Sequence, residues 1–101
     1  MGKVLLSIRY EIEASKRDEY LGVIRELKNT LKNDGLESYT VYEVKGKTNH
    51  FEEIYTYNSM QAFEDSDDSE NERVNILINK ISEMTIDNST KYTTLFELGD
   101  N

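Results

Sequence analysis

Tyrosine carries most of the chemical potential of this chain, and it is placed in a pattern. Seven tyrosines occur among 101 residues, alongside one histidine and no cysteine. Tyr39, Tyr42, Tyr55, Tyr57 and Tyr92 fall in stretches that read as β-strands, and Tyr10 adds a sixth in the first strand. Tyr55 and Tyr57 are two residues apart, so they share a strand face. A phenol combines an apolar body with one hydrogen-bonding tip, which suits a pocket for an aromatic or quinone-like ligand. The same spacing fits rings that only fill a core, because strands favour tyrosine on packing grounds alone. Both readings stay open at the level of sequence.

Arg9 is the second candidate. On a covered strand face its guanidinium needs carboxylate partners. Glu11, Glu43, Glu53 and Glu97 all stand in strand-like stretches. Such an arginine is able to anchor an anionic or enolate-like substrate oxygen; the plainer expectation is an ion pair at a sheet rim, since polar groups forced inside must be paired regardless of function. His50 opens a strand beside a turn, and a lone histidine cannot complete a facial triad or an ordinary zinc site, so no metal is expected. Glu52 and Glu53 point to opposite faces of one strand and cannot act on the same substrate.

Residues 64–72 hold six acids in nine positions. Read from Asp65 as a calcium loop, the run has Glu70 where glycine is required and Ile76 where the bidentate glutamate belongs. A solvated loop or helix break is the expectation. Neither a Gly-rich phosphate loop nor a Ser-His-Asp set is present, and no cofactor is expected.

The elements that position these residues follow from periodicity. Lys3 to Ile12 alternates, with Val4, Leu6, Ile8, Tyr10 and Ile12 on one side, and reads as a strand. Ser15 is expected to cap a helix carrying Tyr20, Ile24, Leu27 and Leu31, which Gly35 stops. Glu37 to Val44 and His50 to Tyr57 form a hairpin across Gly46. Ser59 caps a further helix, and helical spacing resumes at Val74, Leu77, Ile78, Ile81 and Met84. Thr90 to Leu98 alternates again. The order βαββαβ predicts a ferredoxin-like α+β fold, with a four-stranded antiparallel sheet backed by helices on one face. Large residues on the other face point to a partner sheet, and hence to a homodimer packed through the open sheet face.

Length predicts one domain over residues 1–101. A net charge of −8 repels nucleic acid and anionic membranes, and neither is an expected partner. The apolar run Val4-Leu5-Leu6 is too short for a signal core, so the expected location is cytoplasmic.

The hairpin and the helix after it carry a resemblance. Gly35-Leu-Glu-Ser-Tyr39-Thr-Val-Tyr42, with Phe51 through Tyr57-Asn-Ser59-Met-Gln-Ala62-Phe63, resembles the dimeric α/β-barrel superfamily, and within it antibiotic-biosynthesis-monooxygenase-like domains. The resemblance implies two ferredoxin-like chains pairing their sheets into a barrel, with a pocket in each protomer. It implies cofactor-independent oxidation of an aromatic or quinol-type substrate, or binding of a small aromatic ligand without turnover. Tyr55 and Tyr57 occupy pocket-side positions by this likeness, and Arg9, Tyr39, Tyr55 and Tyr57 form the candidate pocket. The family often carries Glu-x-Trp late in the third strand and a histidine four residues past the helix alanine. Here those positions read Tyr55-Thr-Tyr57 and Ser66, so the expectation is a pocket whose usual catalytic residues are replaced.

Overall fold

Alternation along the first strand determines what the sheet buries. The computed structural model describes residues 2–66 and 71–98. Strand β1, Val4–Glu11, turns Val4 and Tyr10 inward at 2% and 3% exposure, and Ile12 just beyond it is fully buried. Helix α1 (Arg17–Thr30) follows, then β2 (Leu36–Glu43) and β3 (His50–Tyr57), a short helix α2 (Met60–Asp65), helix α3 (Glu72–Met84) and β4 (Lys91–Phe96). The strands lie in the order β2-β3-β1-β4, each pair antiparallel. This is the expected ferredoxin-like α+β arrangement.

Helices α1 and α3 bury one stripe each against the sheet. Tyr20, Ile24 and Leu27 from α1 meet Leu77, Ile81 and Met84 from α3 over Tyr10 and Phe51. Those spacings of three, four and seven residues are what a helix needs to present one apolar face. A second, smaller cluster forms where Tyr55 and Tyr57 pack with Val4, Ala62 and Phe63. Ser59 caps α2 as expected, its hydroxyl accepting the Ala62 N–H at 3.0 Å. Asn71 does the same for α3, its side-chain oxygen accepting the Val74 N–H at 3.1 Å.

Two local expectations need correction. Ser15 does not cap α1: it lies inside a 3₁₀ turn, Ala14–Lys16, and the position before the helix is Lys16, which makes no side-chain cap bond. Glu13 lies instead on an extended backbone, where its N–H bonds the Met84 carbonyl and its carbonyl starts the turn. Gly35 does not stop α1 either, because the helix ends at Thr30. The glycine serves the next element. Its φ of +86° turns the chain into β2, and a Cβ there would stand 2.4 Å from the Ala62 side chain. Only glycine fits both demands at this crossing.

The far edge of the sheet is different. β4 pairs with β1, yet all six of its residues are exposed, Tyr92 at 71% and Phe96 at 57%. Among the described residues, no helix is long and apolar enough to cross a membrane. The acidic stretch is described only at its ends: α2 closes at Asp65 and α3 opens at Glu72, and positions 67–70 lie outside the described residues.

Candidate functional site

The site is built around an acid in the core. On β3, Phe51, Glu53, Tyr55 and Tyr57 alternate onto the helix-covered face, and all four are buried. Glu53 is 4% exposed. Its carboxyl is held by phenols from three strands. The Tyr10 hydroxyl donates to Oε2 at 2.5 Å, and those of Tyr39 and Tyr55 donate to Oε1 at 2.8 and 3.2 Å. Tyr20 of α1 extends the chain, its hydroxyl 2.7 Å from that of Tyr10. With Tyr10 donating to Glu53, Tyr20 is the donor in that pair.

Register explains the convergence. Tyr39 stands opposite Tyr55 across the β2–β3 ladder, and Tyr10 stands opposite Phe51 across β1–β3. Their rings therefore flank Glu53 on one face of the pleat. The Tyr39 and Tyr55 rings lie 4.7 Å apart, and Tyr20 meets Phe51 at 4.4 Å, so the phenols are fixed by ring packing as well as by the acid.

Burial dominates the electrostatics. It pushes the Glu53 carboxyl above the usual carboxylate range, and the three phenol donors pull it back only in part. The tyrosines respond in kind. Burial, then the nearby Glu53 charge, raises Tyr10, Tyr39 and Tyr55, so these phenols stay protonated. Burial also raises Tyr20, against its bond to Tyr10. Among the described residues, the groups hydrogen-bonded to this carboxyl are phenol hydroxyls, which carry no positive charge.

A cavity of about 290 Å³ opens beside this cluster, between the sheet and α3. Tyr10, Glu53 and Tyr55 form its polar floor, and Ile8, Ile78, Ile81 and Ile86 supply apolar walls. Asp87, Asn88 and Tyr92 stand toward the exposed side. An apolar concavity with a few convergent polar groups is the usual form of a small-molecule site. The arrangement is able to orient a ligand by hydrogen bonding to the acid and to pass a proton along the Glu53–Tyr10–Tyr20 line.

The structure brings together only part of the candidate set read from the sequence. Tyr39 and Tyr55 both bond Glu53. Tyr57 is buried beside them, its ring parallel to Tyr55 within 4° at 6.3 Å. It lines a separate cleft with Ala62 and Ser66. Arg9 does not join the tyrosines: it lies on the opposite sheet face, half-exposed, with its guanidinium 2.9 Å from Glu52. Its partner is thus none of the four glutamates expected, because alternation turns Glu53 away and brings Glu52 across the ladder. His50 is half-buried, 3.5 Å from Glu11 on the adjacent strand. Among the described residues no group of three or more His, Cys, Asp or Glu is placed to hold a metal.

Glu53, Tyr10 and Tyr20 are site residues outside the candidate pocket read from the sequence, which offered Glu53 only as a partner for Arg9, Tyr10 as a strand tyrosine and Tyr20 as part of a helix stripe. A signal for Glu53 existed: an acid at the middle of Phe51-x-Glu53-x-Tyr55-x-Tyr57 sits in phase with three aromatics that must face inward. At the hairpin turn, Arg17 grips Glu43 with both guanidinium nitrogens, at 2.6 and 2.9 Å. That bidentate bond, with the Asn49 N–H, draws the Glu43 carboxyl down to about 2. This pair ties α1 to the hairpin and is remote from the cavity.

No protein-family model matches the chain. No curated protein matches it either. Solved structures do match over nearly the whole length. A Caulobacter crescentus protein, provisionally named an antibiotic biosynthesis monooxygenase, superposes with a TM-score of 0.80 at 14% identity, covering 97% of this chain and 92% of its own. A Chloroflexus aurantiacus protein with the same provisional name gives 0.73 at 12% identity, covering 98% and 96%. A conserved protein from Methanosarcina mazei gives 0.79 at 17% identity, covering 94% and 92%.

Proposed function

The chain has the fold of antibiotic-biosynthesis-monooxygenase-like structures, and from that premise we propose that it is a small-molecule-binding protein, using the cavity beside Glu53. One observation carries the reading: a buried acid, held by three phenols, forms the floor of an apolar cavity large enough for a small ligand. Tyr55 and Tyr39 shape that floor. The positions where the resemblance leads one to expect Glu-x-Trp and histidine hold Tyr55, Tyr57 and Ser66, so binding rather than the usual family chemistry is the function we assign.

The proposal includes a homodimer, within one domain spanning residues 1–101. Tyr42 and Leu95 on the open sheet face are exposed, and Tyr92, Phe96 and Leu98 leave apolar surface along the β4 edge. A second copy covering this surface explains why β4 carries Tyr92, Leu95 and Phe96 exposed, without a core of its own for them to enter. The chain is expected in the cytoplasm, with neither nucleic acid nor membrane as a partner.

A second reading is favoured by the provisional names of the structural neighbours and by the phenol–acid line. In it, the protein is a cofactor-independent monooxygenase-like enzyme, and Glu53 takes the proton of an aromatic or quinol-type substrate whose own electrons then reduce dioxygen. Native mass spectrometry of freshly purified full-length chain tests the binding reading. The expected spectrum is a dimer carrying additional small-molecule mass. A monomer without added mass overturns both the assembly and the resident ligand.

A further inference from the structure

We propose that the cavity beside Glu53 is a receptor for a small organic ammonium, a protonated amine on a one-ring or short aliphatic body. This inference rests on reading the cavity as a ligand site, and it names the class of ligand.

Charge in the cavity is unbalanced. Among the described residues, the cavity wall presents two carboxyl groups, Glu53 and Asp87, and no lysine, arginine or histidine. Arg9, the basic residue nearest in sequence to the floor of the site, is committed to Glu52 on the other face of the sheet. Buried carboxylates ordinarily lie against a cation, because phenol dipoles offset desolvation less completely than a full charge does. Here no basic side chain among the described lining residues fills that role.

Geometry leaves room for it at the acid. A carboxylate offers about four acceptor directions. Tyr39 and Tyr55 take two on Oε1, and Tyr10 takes one on Oε2. The remaining direction on Oε2 is unclaimed among the described residues, and Glu53 borders the cavity. An ammonium donating there forms a charge-assisted bond, the stronger class of hydrogen bond.

The rest of the wall agrees. The rings of Tyr10, Tyr55 and Tyr92 are aromatic surfaces of the kind that attract cations through their electron-rich faces. Ile8, Ile78, Ile81 and Ile86 receive an apolar body. Asp87 stands near the entrance as a second attraction, and a chain of net charge −8 gathers cations at its surface. An anionic ligand meets the opposite conditions: two acids and no counter-charge. A neutral alcohol gains the hydrogen bond without the charge.

Matched probes decide between these classes. Benzylamine and 2-phenylethylamine are titrated into the intact protein at neutral pH, beside benzyl alcohol, 2-phenylethanol and 3-phenylpropanoate, with affinities read by calorimetry or ligand-observed NMR. The amines are expected to bind at least about tenfold more tightly than their alcohols, about 1.4 kcal/mol, and the propanoate not at all. Glu53→Gln is expected to erase that preference. Asp87→Asn, at an exposed position, is expected to weaken the amines and leave the alcohols unchanged, so the proposal stays testable if the core variant fails to fold. Alcohols binding as tightly as amines overturn the ammonium assignment and leave the cavity a ligand site. Failure of every probe to bind overturns both.

Discussion

On the open face of β3, Glu52 receives the Arg9 guanidinium at 2.9 Å and the Ser7 hydroxyl. One residue further, Glu53 turns into the core and, among the described residues, receives only phenols. The Ser7 bond, then the Arg9 bond, draws Glu52 below the usual carboxylate range, whereas burial drives Glu53 above it. A rotation of about 180° between successive side chains thus places two identical acids in two different media. The difference teaches what makes an acid available. Glu52 has its counter-charge within the chain. Glu53 has three phenol donors and, among the described residues, no counter-charge, so an incoming group can complete it.

The largest effect tests whether the phenol cage is structural scaffolding as well as a site. Tyr55→Ala removes a buried ring that packs on Tyr39 and Tyr57 and bonds Glu53. A loss of about 3–5 kcal/mol is expected, as for other buried aromatic truncations. Denaturant unfolding measures it. A loss under about 1 kcal/mol would detach Tyr55 from the core and dissolve the contrast between the two faces.

The two acids should then titrate with opposite sign. The folded state raises the Glu53 carboxyl, so it binds that proton more tightly than the unfolded chain does. Its contribution is whole below the ordinary carboxyl range and is lost as pH climbs above that range toward the raised value. The folded state lowers Glu52, whose contribution is whole above the ordinary range and is lost as pH falls through it. Stability of Glu53→Gln relative to wild type should therefore improve as pH rises from acid to neutral, and that of Glu52→Gln should decline. Unfolding curves of the three proteins across that interval read the signs directly. Slopes of the same sign would mean that Glu53 has a cationic partner or ready access to water.

Much of the frame was legible before any coordinates. Strand alternation, the two apolar helix stripes and the Ser59 cap are local signals, and each appears where periodicity or capping chemistry put it. The bounds of α1 were less legible. Ser15 and Gly35 have the residue types of a cap and a stop, but Glu13 and the Gly35–Ala62 crossing impose other roles on that chain. The site was legible by halves. Tyr39 and Tyr55 were marked by their strand positions, while the acid they hold was read only as a partner for Arg9. Tyr20 comes from a helix and Tyr10 from a strand 43 residues away from Glu53. That meeting depends on the β1–β3 register and the seating of α1, which no local window contains.

The open face itself offers a weaker test. Arg9 is half-exposed and Glu52 is partly screened by solvent, so their bond belongs to the class of surface ion pairs. In the lone protomer, a double-mutant cycle on Arg9→Ala and Glu52→Ala is expected to return a coupling of about 0.2–1 kcal/mol that shrinks in high salt. Ligand binding in the cavity should be unchanged by Arg9→Ala, because the guanidinium is on the other side of the sheet. A coupling well above that range would mean that the open face is buried in the assembled protein, as a second copy packed on it would require. The cycle therefore reports on the dimer as well as on the pair, and repeating it at a concentration where the chain is monomeric separates the two.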